Sequence, residues 1–195
     1  MITSLAQVIS FLSNPIILLL FVPLFLVYRS SGNISLALFW TGYTIVYLLL
    51  ITAFLLYGVR KKIFTDMDVS TRTQRPLLFG VTLIMVLLYL VGVVLLHGPA
   101  LLVLLAAGVL VSIILVSIIN TKLKISIHVA TVATALFTCA LVYRGISLLV
   151  LLLIPLVAWS RVRINRHTLP ETVAGACFGV LLSIVLYSIA KQFIS

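Results

Sequence analysis

Long apolar segments are the feature that most constrains what this sequence can fold into. A helix that crosses a membrane needs about 20 apolar residues, and seven apolar segments can be drawn within the 195 residues. The first ends at Tyr28 and starts between Leu5 and Pro15, and the others lie at about 34–57, 77–96, 100–119, 127–143, 146–159 and 170–190. The fifth and sixth are short and could form a hairpin around Arg144-Gly145. The pattern predicts an all-α, polytopic integral membrane helix bundle of six or seven transmembrane helices, and a single domain over residues 1–195.

Composition supports the same fold class. Only 8% of the residues are charged and 64% are hydrophobic, whereas a soluble domain carries about 25% charged residues. The net charge of +10 does not indicate nucleic-acid binding, because the basic residues lie in short loops between apolar segments. The three acids, Asp66, Asp68 and Glu171, are too few for a carboxylate-held metal cluster. We therefore predict no metal and no other cofactor.

The loop charges are unequal between the two ends of the predicted helices. Counting sides through seven spans puts ten of the thirteen basic residues, and all three acids, on one side. Loops rich in Lys and Arg tend to stay in the cytoplasm, so we expect this face to be cytoplasmic in a multi-pass protein of the cell membrane. The ten are Arg60, Lys61, Lys62, Arg72, Arg75, Lys122, Lys124, Arg161, Arg163 and Arg166, against Arg29, Arg144 and Lys191 on the other side.

Three polar segments on that face, at 60–76, 120–128 and 160–171, would converge in one bundle. Together they supply several cations, a serine, a carboxylate and two histidines, His128 and His167. Arg and Lys can clamp a phosphate, one histidine can attack phosphorus, and the other can protonate the leaving oxygen. These residue types indicate a site for a phosphate monoester or diphosphate.

The third segment narrows this interpretation. It contains Ser160-Arg161, five residues, His167, three residues and then Glu171, followed by Ala174-Gly175. This spacing resembles the last signature of the type 2 phosphatidic acid phosphatase (lipid phosphate phosphatase) superfamily, with Glu171 where that signature has Asp.

The first two signatures are kept in part and in the right order. Ser126 and His128 preserve two letters of Pro-Ser-Gly-His, and Lys124 comes just before them. Arg75-Pro76 preserves the end of the first signature, Lys, six residues, Arg-Pro, but Asp68 occupies the position of its lysine. Arg72, or else Lys61 or Lys62, would have to replace that lysine. The chain is similar to a divergent branch, over roughly residues 60–180.

The resemblance implies a membrane-embedded, metal-independent phosphatase that acts on a lipid phosphate or an isoprenoid (polyprenyl) diphosphate through a phosphohistidine. His167 would be the nucleophile, Glu171 would hold its other ring nitrogen, and His128 would be the general acid. The phosphoryl oxygens would be bound by Arg72, Arg75, Lys124, Ser126 and Arg161. Membrane lipids are further expected partners, and the oligomeric state stays open.

Other interpretations stand beside this one. Thr168 and Glu171 also form a capping-box pattern, so Glu171 could simply cap a helix. The site could belong to a non-catalytic relative that binds or transports a lipid phosphate. Asp66-Met67-Asp68 has some likeness to the first motif of membrane prenyltransferases, although no other Asp exists to form their second. The Gly-x-x-x-Gly pattern at 175–179 can mark close helix packing, within or between chains.

Overall fold

The computed structural model describes residues 2–142 and 146–191, and the predicted break at Arg144-Gly145 lies outside them. Within these ranges the chain is all-α, as the apolar segments predict. It also has two short 3₁₀ segments, Arg72–Gln74 and Ile146–Leu152. The helices are α1 (Ile2–Leu12), α2 (Pro15–Ser31), α3 (Ile34–Arg60), α4 (Arg75–Leu95), α5 (Ala100–Asn120), α6 (Ile127–Val142), α7 (Leu153–Arg163) and α8 (Leu169–Ala190).

Four stretches are long and apolar enough to cross a membrane: Ile34–Arg60, Arg72–Leu95, Ala100–Asn120 and Leu169–Ile189. A fifth results if α1 and α2, which meet at a bend of 42°, count as one broken span. Helix α6 is apolar but shorter. These helices support a multi-pass integral membrane protein. The predicted count of six or seven exceeds the four or five that length and composition give over the described residues.

The first apolar segment forms two helices because of the residues at its centre. Pro15 opens α2, and the side-chain oxygen of Asn14 accepts a hydrogen bond from the backbone N–H of Ile16 at 2.9 Å. Asn before the first turn and Pro within it are favoured helix-start residues. The bend at this point therefore has a local cause.

The helices cluster into two compact units. Unit 1 comprises the described residues of 1–19 and 123–192, and unit 2 comprises residues 20–122. Helix α2 begins in unit 1 and continues into unit 2 at Leu20. The expectation of a single domain stays a prediction.

Unit 2 is built on three consecutive long helices, in which α4 packs against both α3 and α5. Asn33 caps α3 by accepting a hydrogen bond from the Leu36 N–H at 3.0 Å. The buried core of unit 2 contains Val27, Ala37, Trp40, Tyr89, Val93, Leu102 and Ala106. Many other large apolar side chains are exposed, among them Leu49 and Ile118 at 62% each. Such exposure suits contact with lipid.

Unit 1 contains the third polar segment and, from residue 123 on, the second, whereas the first polar segment lies in unit 2. Helix α8 packs along α6, α7 contacts both, and α1 lies against α7. A small core of Val129, Val132 and Val157 lies between these helices. Polar pairs also join α6 to α8: the hydroxyls of Thr138 and Ser183 are 2.7 Å apart. Interhelical hydrogen bonds of this kind stabilise helix pairs in an apolar surrounding.

The Gly-x-x-x-Gly pattern packs α8 against α6 within the chain. A Cβ atom at Gly175 would lie 2.7 Å from the carbonyl oxygen of Ser126. One at Gly179 would overlap the carbonyl oxygen of Ala130 and lie 2.8 Å from the Ala133 Cβ. Small residues at these positions let the two backbones approach closely. The start of α8 is thereby held against the start of α6.

Gly179→Ala should therefore destabilise the protein. The added methyl group has to push the helices apart, and such overpacking costs roughly 1–3 kcal/mol. Gly80→Ala on α4 is the matched control, because a Cβ there has no neighbour within 4 Å. Thermal unfolding in detergent should show a lower midpoint temperature for Gly179→Ala and an unchanged one for Gly80→Ala. An unchanged midpoint in Gly179→Ala would contradict the close packing of α6 and α8.

Candidate functional site

The turn after α7 positions His167 relative to Arg161 in the third polar segment. The Arg161 carbonyl accepts hydrogen bonds from the backbone N–H groups of Arg166, at 3.0 Å, and His167, at 3.3 Å. Asn165 takes a left-handed conformation with φ of 57°, which Asn tolerates better than most residues. The five-residue spacing between Arg161 and His167 therefore closes a tight turn. His167 lies just before Thr168, the N-cap of α8.

His167 and Glu171 form the central pair of the site. The Nδ1 atom of His167 lies 2.8 Å from the Oε2 atom of Glu171, and the imidazole is only 2% exposed. When Nδ1 carries the proton and donates it to the carboxylate, the lone pair resides on Nε2. A histidine held in this way has one nitrogen fixed by the protein and the other suited to attack an electrophile.

The same carboxylate also caps α8. Thr168 donates its backbone N–H to Glu171 Oε2 at 3.1 Å, and Thr168 and Glu171 form a capping box. Both interpretations of Glu171 from the sequence therefore describe contacts that it makes at once. The residue orients His167 and satisfies a backbone donor at the start of the helix.

The segment that enters α6 lies against this helix start. The Ser126 N–H donates to the Glu171 carbonyl at 3.1 Å, and the Ser126 hydroxyl accepts from the Val129 N–H at 3.4 Å. Ser126 is fully buried, and His128 in the first turn of α6 is 7% exposed. The predicted second and third motifs are therefore joined directly at Ser126 and Glu171.

Lys124 contacts the same turn from the α6 side. Its Nζ donates to the Arg166 carbonyl at 2.9 Å and lies 4.0 Å from Glu171 Oε2. The lysine is predicted from sequence to bind phosphate. In the structure it contacts the peptide that precedes His167 and the carboxylate that holds it, and its part in phosphate binding stays a prediction.

Arg161 is buried and anchored by a residue that the sequence motifs do not include. Its Nη1 donates to the Ser10 hydroxyl at 2.5 Å, and the arginine and serine are 2% and 6% exposed. Ser10 lies on α1, 151 positions earlier in the chain. A guanidinium carries its N–H donors in a rigid fork, so orienting one edge orients the anion-binding face. The only sequence signal for Ser10 is a polar residue within an apolar helix.

Arg72 and Arg75 lie in unit 2, where both bond to backbone groups. Arg75 is 2% exposed and donates to the Val69 carbonyl at 3.2 Å and to Asn120 Oδ1 at 3.4 Å. Arg72 Nη1 donates to the Lys122 carbonyl at 3.0 Å. These bonds tie the loop before α4 to the end of α5. The predicted part of both arginines in phosphate binding stays a prediction.

The acidic residues of unit 2 are also engaged locally. Asp66 Oδ1 accepts from the Asp68 N–H at 2.9 Å and from the Ser70 hydroxyl at 3.1 Å, as an Asp that stabilises a turn does. Over residues 2–142 and 146–191, no group of three or more His, Cys, Asp and Glu side chains is placed to hold a metal ion.

Neither a family model, nor a curated protein, nor a solved structure matches this chain. The resemblance to the phosphatase superfamily therefore stays a prediction from its motifs. Within unit 1, hydrogen bonds and one ion pair connect the predicted residues Lys124, Ser126, Arg161, His167 and Glu171. The predicted acid, His128, is two residues beyond Ser126 in the same buried helix start.

The Ser10 contact gives a first test of this site. Ser10→Ala should lower the free energy of unfolding by roughly 1–3 kcal/mol, because the mutation removes a buried partner of a charged group. Ser10→Thr keeps the hydroxyl and should restore most of the loss. Ser4→Ala on the same helix, at an exposed position, is the matched control. Chemical unfolding in detergent measures all three, and equal stability of Ser10→Ala and Ser4→Ala would contradict the role of Ser10.

Proposed function

We propose that this protein is a membrane-embedded phosphatase with His167 as its nucleophile. The observation that supports it best is the contact of 2.8 Å between the buried His167 imidazole and the Glu171 carboxylate. The backbone carbonyl of the buried Arg161 accepts the His167 N–H in the same turn. A histidine oriented by a carboxylate, in a turn that also carries a cation, is suited to nucleophilic attack on an anionic phosphoryl group.

The proposed reaction has two steps. His167 Nε2 attacks phosphorus, the bond from phosphorus to the leaving oxygen breaks, and His128 gives that oxygen a proton. Water then attacks the phosphohistidine, His128 takes a proton from the water, and the phosphorus–nitrogen bond breaks to release phosphate. Arg161 and the Ser126 hydroxyl would hold the phosphoryl oxygens while charge develops on them.

The surroundings of the site favour an amphiphilic substrate. The pair lies at the start of α8, a candidate membrane span whose side chains include Leu181, 65% exposed. A phosphate at such a helix end would lie at the membrane surface while an attached chain stays among lipids. The proposed substrates are therefore lipid phosphates and polyprenyl diphosphates.

The proposal also includes the type of membrane, the number of spans and the orientation of the protein. We place the protein in the cell membrane with six or seven spans, counting α6 and α7 as a short hairpin. The face that carries ten of the thirteen basic residues would be cytoplasmic, following the bias of Lys and Arg in loops.

A phosphate-release screen tests the proposal. Purified protein in detergent should release phosphate from at least one lipid phosphate or polyprenyl diphosphate, also in the presence of a metal chelator. His167→Ala should abolish phosphate release and also the phosphohistidine that acid-free quenching would trap, because the variant lacks the ring nitrogen that attacks phosphorus. His97→Ala, which alters an exposed histidine in a turn of unit 2, is the control and should keep full activity.

Two other outcomes have distinct meanings. Full activity of His167→Ala would refute the mechanism. Tight binding of a lipid phosphate without turnover would favour the non-catalytic relative.

The role of Glu171 can be separated from its helix cap. Glu171→Gln keeps an oxygen that accepts from the Thr168 N–H but loses the negative charge beside His167. We expect kcat to fall by roughly 10²–10³-fold, with KM changed by less than about twofold, since the imidazolium and its tautomer are no longer supported. Glu171→Asp keeps the charge and should lose less. A Gln variant with undiminished kcat would show that Glu171 only caps the helix.

A further inference from the structure

Lys124 contacts two of the groups that fix the proposed nucleophile. Its ammonium donates a hydrogen bond to the Arg166 carbonyl at 2.9 Å, and this carbonyl belongs to the peptide group that precedes His167. It also lies 4.0 Å from Glu171 Oε2, the oxygen that contacts His167 Nδ1. One cation therefore touches both the backbone and the carboxylate that fix the proposed nucleophile.

The environment makes these contacts effective. The side chains of Lys124 and Glu171 are only 20% and 17% exposed, and that of His167 is 2% exposed. A charge pair of this burial is screened less by water and salt than an exposed pair. The lysine also comes from the segment before α6, whereas its partners lie between α7 and α8. It therefore joins two parts of unit 1 at the site.

We propose that Lys124 is a positioning residue that holds the turn bearing His167 and the Glu171 carboxylate, rather than a ligand of the phosphoryl group. Its catalytic meaning rests on the proposed function. Phosphate binding would then fall to Arg161 and Ser126 in unit 1. Lys124 acts through the pair instead, by fixing its geometry and by placing a positive charge beside it.

The charge has a defined effect on the pair. A cation near the imidazole opposes uptake of a proton by the ring. Other ionisable groups on the elements packed together here are His128 at the start of α6, Arg161 at the end of α7 and Arg166 in the turn. Removing the charge of Lys124 should let His167 take up a proton at higher pH. The attacking imidazole has to be neutral. The acid limb of the pH profile of kcat/KM should therefore move to higher pH.

The test compares Lys124→Gln with the wild-type protein. Glutamine can still donate to the Arg166 carbonyl but carries no charge. We expect the acid limb of kcat/KM to rise by about 0.5–1 pH unit. Above that limb, KM and the inhibition constants of inorganic phosphate and vanadate should change by less than about twofold. Lys124→Arg keeps the charge and should keep the limb within about 0.2 unit of wild type.

The matched control is Lys122→Gln. Lys122 lies two residues earlier and is exposed, so this variant should leave the pH profile of kcat/KM unchanged. A tenfold or larger rise in KM and in both inhibition constants, with an unmoved acid limb, would identify Lys124 as a phosphate ligand and overturn the proposal. If Lys124→Gln does not fold, Lys124→Met, which removes both the charge and the hydrogen bond to the Arg166 carbonyl, should raise the acid limb by at least as much.

A second measurement does not need turnover. The chain has three histidines, so the His167 signals of histidine-labelled protein in detergent can be assigned by replacing His97 and His128 in turn. The pH midpoint of the His167 signal should rise in Lys124→Gln. An unmoved midpoint overturns the role of Lys124. A risen midpoint in a protein without phosphatase activity would refute the proposed function and keep the contact role of Lys124.

Discussion

The carboxylate of Glu171 is the contact on which the site in unit 1 depends. Its Oε2 atom receives the Thr168 N–H and His167 Nδ1, and it lies 4.0 Å from the Lys124 ammonium. Its backbone carbonyl accepts the Ser126 N–H. A single residue therefore caps α8, orients the imidazole and ties α6 to α8. In a chain with only three acids, this concentration of contacts gives the residue a structural role, and the proposed mechanism adds a chemical one.

Close helix packing makes these contacts possible. Apolar side chains that face lipid gain little by turning inward, so helix pairs in a membrane depend on shape and on hydrogen bonds. Gly175 and Gly179 bring α8 against the backbone of α6, and Thr138 and Ser183 add a polar pair farther along. The approach at Gly175 is what puts the Ser126 N–H within reach of the Glu171 carbonyl.

Much of the fold follows from local sequence patterns. The apolar segments locate the helices, and the observed bounds of α3, α4, α5 and α8 differ from the predicted ones by a few residues. Two segments differ more. The first divides at Asn14-Pro15 because these residues start a new helix, and the sixth forms a 3₁₀ segment at Ile146–Leu152 before α7, which ends at Arg163. The His167–Glu171 contact could also be expected, since residues four apart at a helix start lie close together. The sequence does not fix the number of spans, because length and hydropathy do not separate a short span from a buried or re-entrant helix.

By itself, the sequence determined the all-α class, the approximate helix bounds, the capping box and the local geometry of the third motif. These features depend on residues within one or two helical turns of each other. The tertiary structure alone decided that Ser10 anchors Arg161, that Lys124 holds the Arg166 carbonyl, and that Arg75 bonds to Asn120. Each of these partners lies more than forty positions away along the chain. Such pairs form only when packed helices bring distant segments together and buried charges have to be satisfied by whatever polar group is near. The spacing of residues along the sequence therefore does not predict these distant pairs.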